Sequence, residues 1–118
     1  MRQAQTLNEA QFRRVLHYCR TRRHMHRDTT IFMVSFYAGL RAKEIAALTV
    51  GNVFDEEGDV RTQFILSAQQ SKGGQTRTVY LNQRLRKALR EYGDYIRLAG
   101  PQRPLFASQK GGHFSANT

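Results

Sequence analysis

Over the first third of the chain, apolar residues recur three and four positions apart. Phe12, Val15, Leu16 and Cys19 share one helical face, and Thr6 followed by Glu9 fits a capping box ahead of them. The pattern predicts a helix from about Leu7 to Arg22, with Arg13, Arg14 and Arg20 on its polar face. Arg22-Arg23-His24-Met25-His26-Arg27 breaks the period and reads as a basic loop. Asp28 fits the cap of a second helix in which Ile31, Phe32, Val34, Ser35, Phe36 and Ala38 are apolar or small nearly all round, as in a buried helix. Gly39 suits the left-handed residue that ends such a helix. A short third helix is predicted from Ala42 to Leu48, with Ile45 and Leu48 facing the core.

From Val50 to Leu81 the pattern changes to β-branched and aromatic residues, interrupted by Glu56-Glu57-Gly58-Asp59 and Lys72-Gly73-Gly74-Gln75. It predicts three short antiparallel strands near 50–54, 60–68 and 76–81. Asn82 fits the cap of a fourth helix that buries Leu85, Ala88, Leu89, Tyr92 and Ile96 and ends at Gly100-Pro101. Beyond it, Pro104-Leu105-Phe106 reads as an extended segment, Gly111-Gly112 as a turn and Ser115 as the cap of an element needing residues past Thr118; a disordered tail is expected over 108–118. The fold class is α+β, helices packed around a small three-stranded antiparallel sheet. Residues 1–118 form one domain, with no repeat and no Pro- or Ser-rich linker.

Composition agrees with a single globular core: 118 residues, 40% hydrophobic and 24% charged. The longest mostly apolar stretch, Ile31 to Leu40, is about half the roughly twenty residues of a membrane helix. A cytoplasmic location is expected. The lone cysteine, Cys19, has no second cysteine to pair with and is expected to pack. Charge changes the picture more. Nineteen Lys and Arg against nine Asp and Glu give a net charge of +10, which favours a polyanionic partner. The distribution is uneven: residues 1–30 carry 7 basic and 2 acidic groups, 31–60 carry 2 and 5, and 61–118 carry 10 and 2. The two cations of the acidic middle are Arg41, directly after Gly39-Leu40, and Lys43.

Common catalytic signatures are missing. There is no dinucleotide-binding glycine motif, phosphate-binding loop or HExxH, and no defensible nucleophile-histidine arrangement. His24 and His26 fit a solvated loop better than a metal pair, so neither a metal nor a cofactor is expected.

Two stretches carry a more specific signal: Ala38-Gly39-Leu40-Arg41-Ala42-Lys43-Glu44-Ile45-Ala46-Ala47-Leu48, and then Ser71-Lys72-Gly73-Gly74-Gln75-Thr76-Arg77-Thr78-Val79-Tyr80-Leu81. The first resembles the G-L-R-x-x-E-[IL]-x-x-L box of the tyrosine recombinases, or phage integrases. The second is similar to that family's β-hairpin lysine turn, and Leu7-Asn8-Glu9-Ala10-Gln11-Phe12 looks like its usual catalytic-domain start. The resemblance covers nearly the whole chain in order. It implies DNA strand cleavage and rejoining, in which a tyrosine attacks a backbone phosphate to form a 3′-phosphotyrosyl link.

By this resemblance Arg41 and Lys72 are catalytic. Arg41 would hold the non-bridging phosphate oxygens with paired hydrogen bonds, and Lys72 would protonate the departing 5′-oxygen. Glu44 would brace the site through hydrogen bonds, and Arg61 and Arg77 are weaker candidates for phosphate contact. Taken singly, each residue also fits a plain role: Arg41 pairing with Glu44 at a helix junction, Lys72 a solvated turn lysine, Glu44 an exposed helix charge, Arg61 and Arg77 surface solubility. In the family the site is completed downstream by a His-x-x-Arg box, a further His or Trp and a late nucleophilic tyrosine. None of these follows the hairpin here. Tyr18, Tyr37, Tyr80, Tyr92 and Tyr95 all match scaffold positions, and His113 lies too early.

The expectation is therefore the N-terminal part of a recombinase catalytic domain, which binds double-stranded DNA but does not recombine alone. It is also expected to self-associate or pair with a full-length recombinase. The alternative is a stand-alone basic DNA-binding or regulatory module on the same scaffold.

Overall fold

The computed structural model describes residues 7–20, 24–96 and 100–106. The chain runs α1 (Glu9–Arg20), α2 (Met25–Met33), a π-helical turn (Val34–Ala38), α3 (Ala42–Ala46), α4 (Val50–Val53), β1 (Gln63–Leu66), β2 (Arg77–Tyr80) and α5 (Gln83–Ile96). The α+β class holds. The start of α1 is closed by a reciprocal pair, Gln11 N–H on Asn8 Oδ1 at 2.8 Å and Asn8 N–H on Gln11 Oε1 at 3.0 Å. Thr6, the expected cap, lies outside the described residues, as do the predicted turn at Gly111-Gly112, the cap at Ser115, His113 and the 108–118 tail.

Phe12 is the apolar anchor of α1. Its ring packs among Phe32, Phe36 and Tyr37, with centroids 5.2, 4.6 and 5.8 Å away, which fixes α1 against α2 and the π turn. The second helix begins four residues earlier than a cap at Asp28 would place it. Met25–Arg27, expected in a loop, form its first turn, and Asp28 sits inside that turn, 3.2 Å from Arg27 Nε. A carboxylate favours the positive end of a helix there without being its cap. Gly39 is left-handed, φ 70°, as the sequence predicts, and it ends the π turn ahead of the extended Arg41 that precedes α3.

The sheet is smaller than expected. Among the described residues it has two antiparallel strands, pairing Gln63 with Tyr80, Phe64 with Val79, Ile65 with Thr78 and Leu66 with Arg77. The segment predicted as a first strand, 50–54, is instead the turn of helix α4, joined to the sheet region by one bridge between Phe54 and Val60. Local hydrogen bonding outweighs β-propensity here. Asn52 Oδ1 accepts the Thr49 N–H at 2.9 Å and its hydroxyl at 3.1 Å, closing a helical turn that β-branched Val50 and Val53 would otherwise resist.

The segment 100–106 returns to cover the core. Thr49 bridges Pro104, Leu105 N–H donates to Leu48 O at 2.9 Å, and Tyr92 of α5 donates its hydroxyl to Leu105 O at 2.9 Å. The extended reading is met only at Pro104, where the bridge forms; the chain bends at Leu105 and Phe106, which are both fully buried. They close a core of Leu40, Leu48, Leu66, Leu85 and Leu89. Asn82 caps α5 as predicted, accepting the Leu85 N–H at 2.8 Å. No described helix is long and apolar enough to cross a membrane.

Candidate active site

Glu44 is the centre of the arrangement. It stands at the third position of α3, reaches back to the start of the helix, and is fully buried. Its Oε1 accepts the Arg41 N–H at 3.0 Å and Arg77 Nη2 at 3.0 Å; its Oε2 accepts the Lys72 N–H at 3.0 Å and Arg77 Nη1 at 2.9 Å. A carboxylate removed from water needs such a set, because burial without partners costs several kcal/mol per ion. Burial by itself would raise its pKa. The Arg77 guanidinium and the Arg41 and Lys72 amides more than reverse that, lowering it from 4.5 to about 2. Glu44 is ionised throughout the neutral range and has no proton to give.

Each donor arrives from a different element. Arg41 is the extended residue before α3, at φ −81° and ψ 159°, so its amide faces back toward the Glu44 carboxylate. Lys72 lies in the long connection between β1 and β2. That connection is tied by the Ser71 N–H to Ser67 O at 2.9 Å and the Gly74 N–H to Ser71 O at 3.2 Å. Gly74 takes φ 76°, which only glycine adopts without strain. Arg77 opens β2 opposite the buried Leu66.

The structure brings four of the five predicted residues together, Arg41, Glu44, Lys72 and Arg77. Glu44 is not the exposed helix charge of the plain reading. The contact between Arg41 and Glu44 runs through the Arg41 backbone, leaving its guanidinium, like the Lys72 ammonium, exposed and without an ion pair among the described residues. Arg77 joins the cluster differently from its expected place on DNA, since both terminal nitrogens face Glu44. Arg61 stands apart, with its Nε on Gly51 O at 3.1 Å and its N–H on Val53 O at 2.7 Å, bracing α4.

Sequence reasoning missed Gln70. Its amide donates to Ala47 O at 2.9 Å and Asn52 Oδ1 at 2.7 Å, pinning the hairpin connection to the junction of α3 and α4. Nothing in the local pattern marks it, because its partners lie 18 and 23 residues away. Of the tyrosines, Tyr92 is buried, Tyr37 accepts from Arg84 at 3.2 Å, and the exposed Tyr95 stacks on His26 at 4.1 Å.

The model of the phage integrase family matches residues 5–118, nearly the whole chain. The chain belongs to the phage integrase family. A solved structure of XerA recombinase is similar to this integrase-family chain, with a TM-score of 0.69 at 20% identity. The likeness is one of fold. It covers 99% of this chain and 38% of that one, so the chain spans well under half the length of its structural relative. No curated protein matches. Within the integrase-family chain, both motifs that suggested the family from sequence meet at one carboxylate, Glu44.

Proposed function

We propose that these 118 residues are the part of a tyrosine recombinase catalytic domain that grips the scissile phosphate of duplex DNA, with Arg41 and Lys72 as its reactive cations. The observation that carries this reading is that Glu44 holds the backbones of both residues, each at 3.0 Å, so that Arg41 and a lysine 28 residues beyond Glu44 form one cationic edge. A net charge of +10 supports a polyanionic partner.

The chemistry follows from the residue types. A tyrosine oxygen, its phenol proton given up to solvent, attacks phosphorus, the bond to the 5′-oxygen breaks, and negative charge grows on the non-bridging oxygens in between. The Arg41 guanidinium, always protonated and forked, neutralises that charge with parallel hydrogen bonds. The Lys72 ammonium transfers a proton to the departing 5′-oxygen, which leaves as a hydroxyl. Glu44 stays ionised and fixes the two backbones, taking no part in proton transfer. The nucleophilic tyrosine is supplied from outside these 118 residues.

A nicked duplex that traps covalent intermediates tests this reading. The chain is expected to shift the duplex on a native gel and to form no covalent adduct under denaturing conditions. An adduct would assign the nucleophile to one of the five tyrosines present. Absence of any shift at low salt would remove DNA from the proposal.

A further inference from the structure

We infer that Arg77 is a positioning residue: its fork on Glu44 locks the hairpin lysine, Lys72, in register with Arg41. The inference rests on the proposed phosphate site and deepens it. Arg77 would serve DNA only through the residues it holds in place.

The geometry points this way for three reasons. Both Arg77 terminal nitrogens are engaged, at 2.9 and 3.0 Å, with the two oxygens of one carboxylate, the bidentate pairing that fixes orientation as well as distance. Each of those oxygens also accepts one backbone N–H, Arg41 on Oε1 and Lys72 on Oε2. Rotation of the carboxylate would therefore break a contact to one motif or the other. Third, Arg77 is the first residue of β2 while Lys72 lies in the open connection five residues earlier, where the glycines at 73 and 74 have no neighbouring atoms within 4 Å of a side-chain position. The glycine pair does not itself hold Lys72. Gln70 fixes one end of the connection and Arg77 the other, and the Lys72 amide is fastened between them by Glu44.

A lysine would keep the charge of Arg77 but not the fork, which makes the conservative variant informative. The experiment combines two readouts on the 118-residue chain, with Arg77→Gln and Arg77→Lys. Residue-resolved amide hydrogen exchange is expected to show the Lys72 and Arg41 amides exchanging at least about tenfold faster in both variants, while Leu85 and Leu89 amides in α5 keep their protection. Should Arg77→Gln lose its far-UV circular dichroism, Arg77→Lys is the variant read. Unchanged exchange at Lys72 and Arg41 would overturn the inference.

The second readout is a double-mutant cycle on duplex DNA affinity. Lys72→Ala is expected to weaken binding in the parent chain and to change it less than about twofold once Arg77 is replaced. A direct phosphate contact by Arg77 would instead give additive losses and a salt slope lower by about one, which overturns the positioning role. If Lys72→Ala leaves the parent chain's affinity unchanged, the phosphate-site proposal fails, and amide exchange alone decides what Arg77 does.

Discussion

Acid is the most direct way to loosen the Glu44 cluster. The carboxylate titrates near 2 in the fold and at an ordinary 4.5 in the unfolded chain, so its ionised form favours folding. The contribution is complete above the unfolded value and disappears as pH falls toward the folded one. At neutral pH it amounts to about 3 kcal/mol, and about 2 kcal/mol of that is gone by pH 3. Other carboxylates titrate over the same range, so the comparison that isolates Glu44 is with Glu44→Gln. That variant keeps the shape and loses the charge on which Arg77 closes. Urea unfolding followed by far-UV circular dichroism is expected to show Glu44→Gln about 3 kcal/mol less stable than the parent at pH 7, an appreciable share of a small domain's stability. Between pH 7 and pH 3 the parent is expected to lose about 2 kcal/mol more than the variant does. Parallel pH profiles for the two chains would refute the reasoning, because they would mean that Glu44 carries no preferentially ionised state in the fold.

Two further outcomes check the packing that carries the site. Gly51→Ala is expected to cost about 1–3 kcal/mol in thermal unfolding, because its new methyl would lie 3.0 Å from both the Pro101 Cβ and the Pro101 carbonyl oxygen, pushing the 100–106 segment from α4. Tyr92→Phe removes the hydroxyl that donates to Leu105 O and is expected to cost about 1 kcal/mol in the same assay. In the parent, burial pushes the Tyr92 phenol up to about 12, so one tyrosine is expected to ionise late in an ultraviolet titration and to be missing from that phase in Tyr92→Phe.

The helices were readable because their signals are local. The spacing of Phe12, Val15 and Leu16, the left-handed Gly39, and Asn82 ahead of Leu85 are each signals within one or two helical turns, and the structure uses them as the pattern suggests. Val50–Val53 went the other way, since β-propensity favoured a strand while two hydrogen bonds accepted by Asn52 Oδ1 from Thr49 favoured a turn of helix. The recombinase motifs marked Arg41, Glu44 and Lys72 as a set, yet spacing alone left Glu44 equally compatible with solvent. Its burial depends on Arg77, 33 residues away, and no period or propensity reports a contact of that range. Gln70 escaped notice for the same reason.

The measurement that tests the central claim most directly is fluorescence anisotropy of the chain with a short labelled duplex across a salt series, beside Arg41→Ala and Lys72→Ala. Binding is expected to weaken linearly on logarithmic axes as salt rises. Each variant is expected to keep its circular dichroism, bind several-fold more weakly and show a salt slope reduced by about one. Variants that bind as the parent does, with the same slope, would mean that Arg41 and Lys72 do not meet phosphate and that the edge organised by Glu44 is not a DNA site.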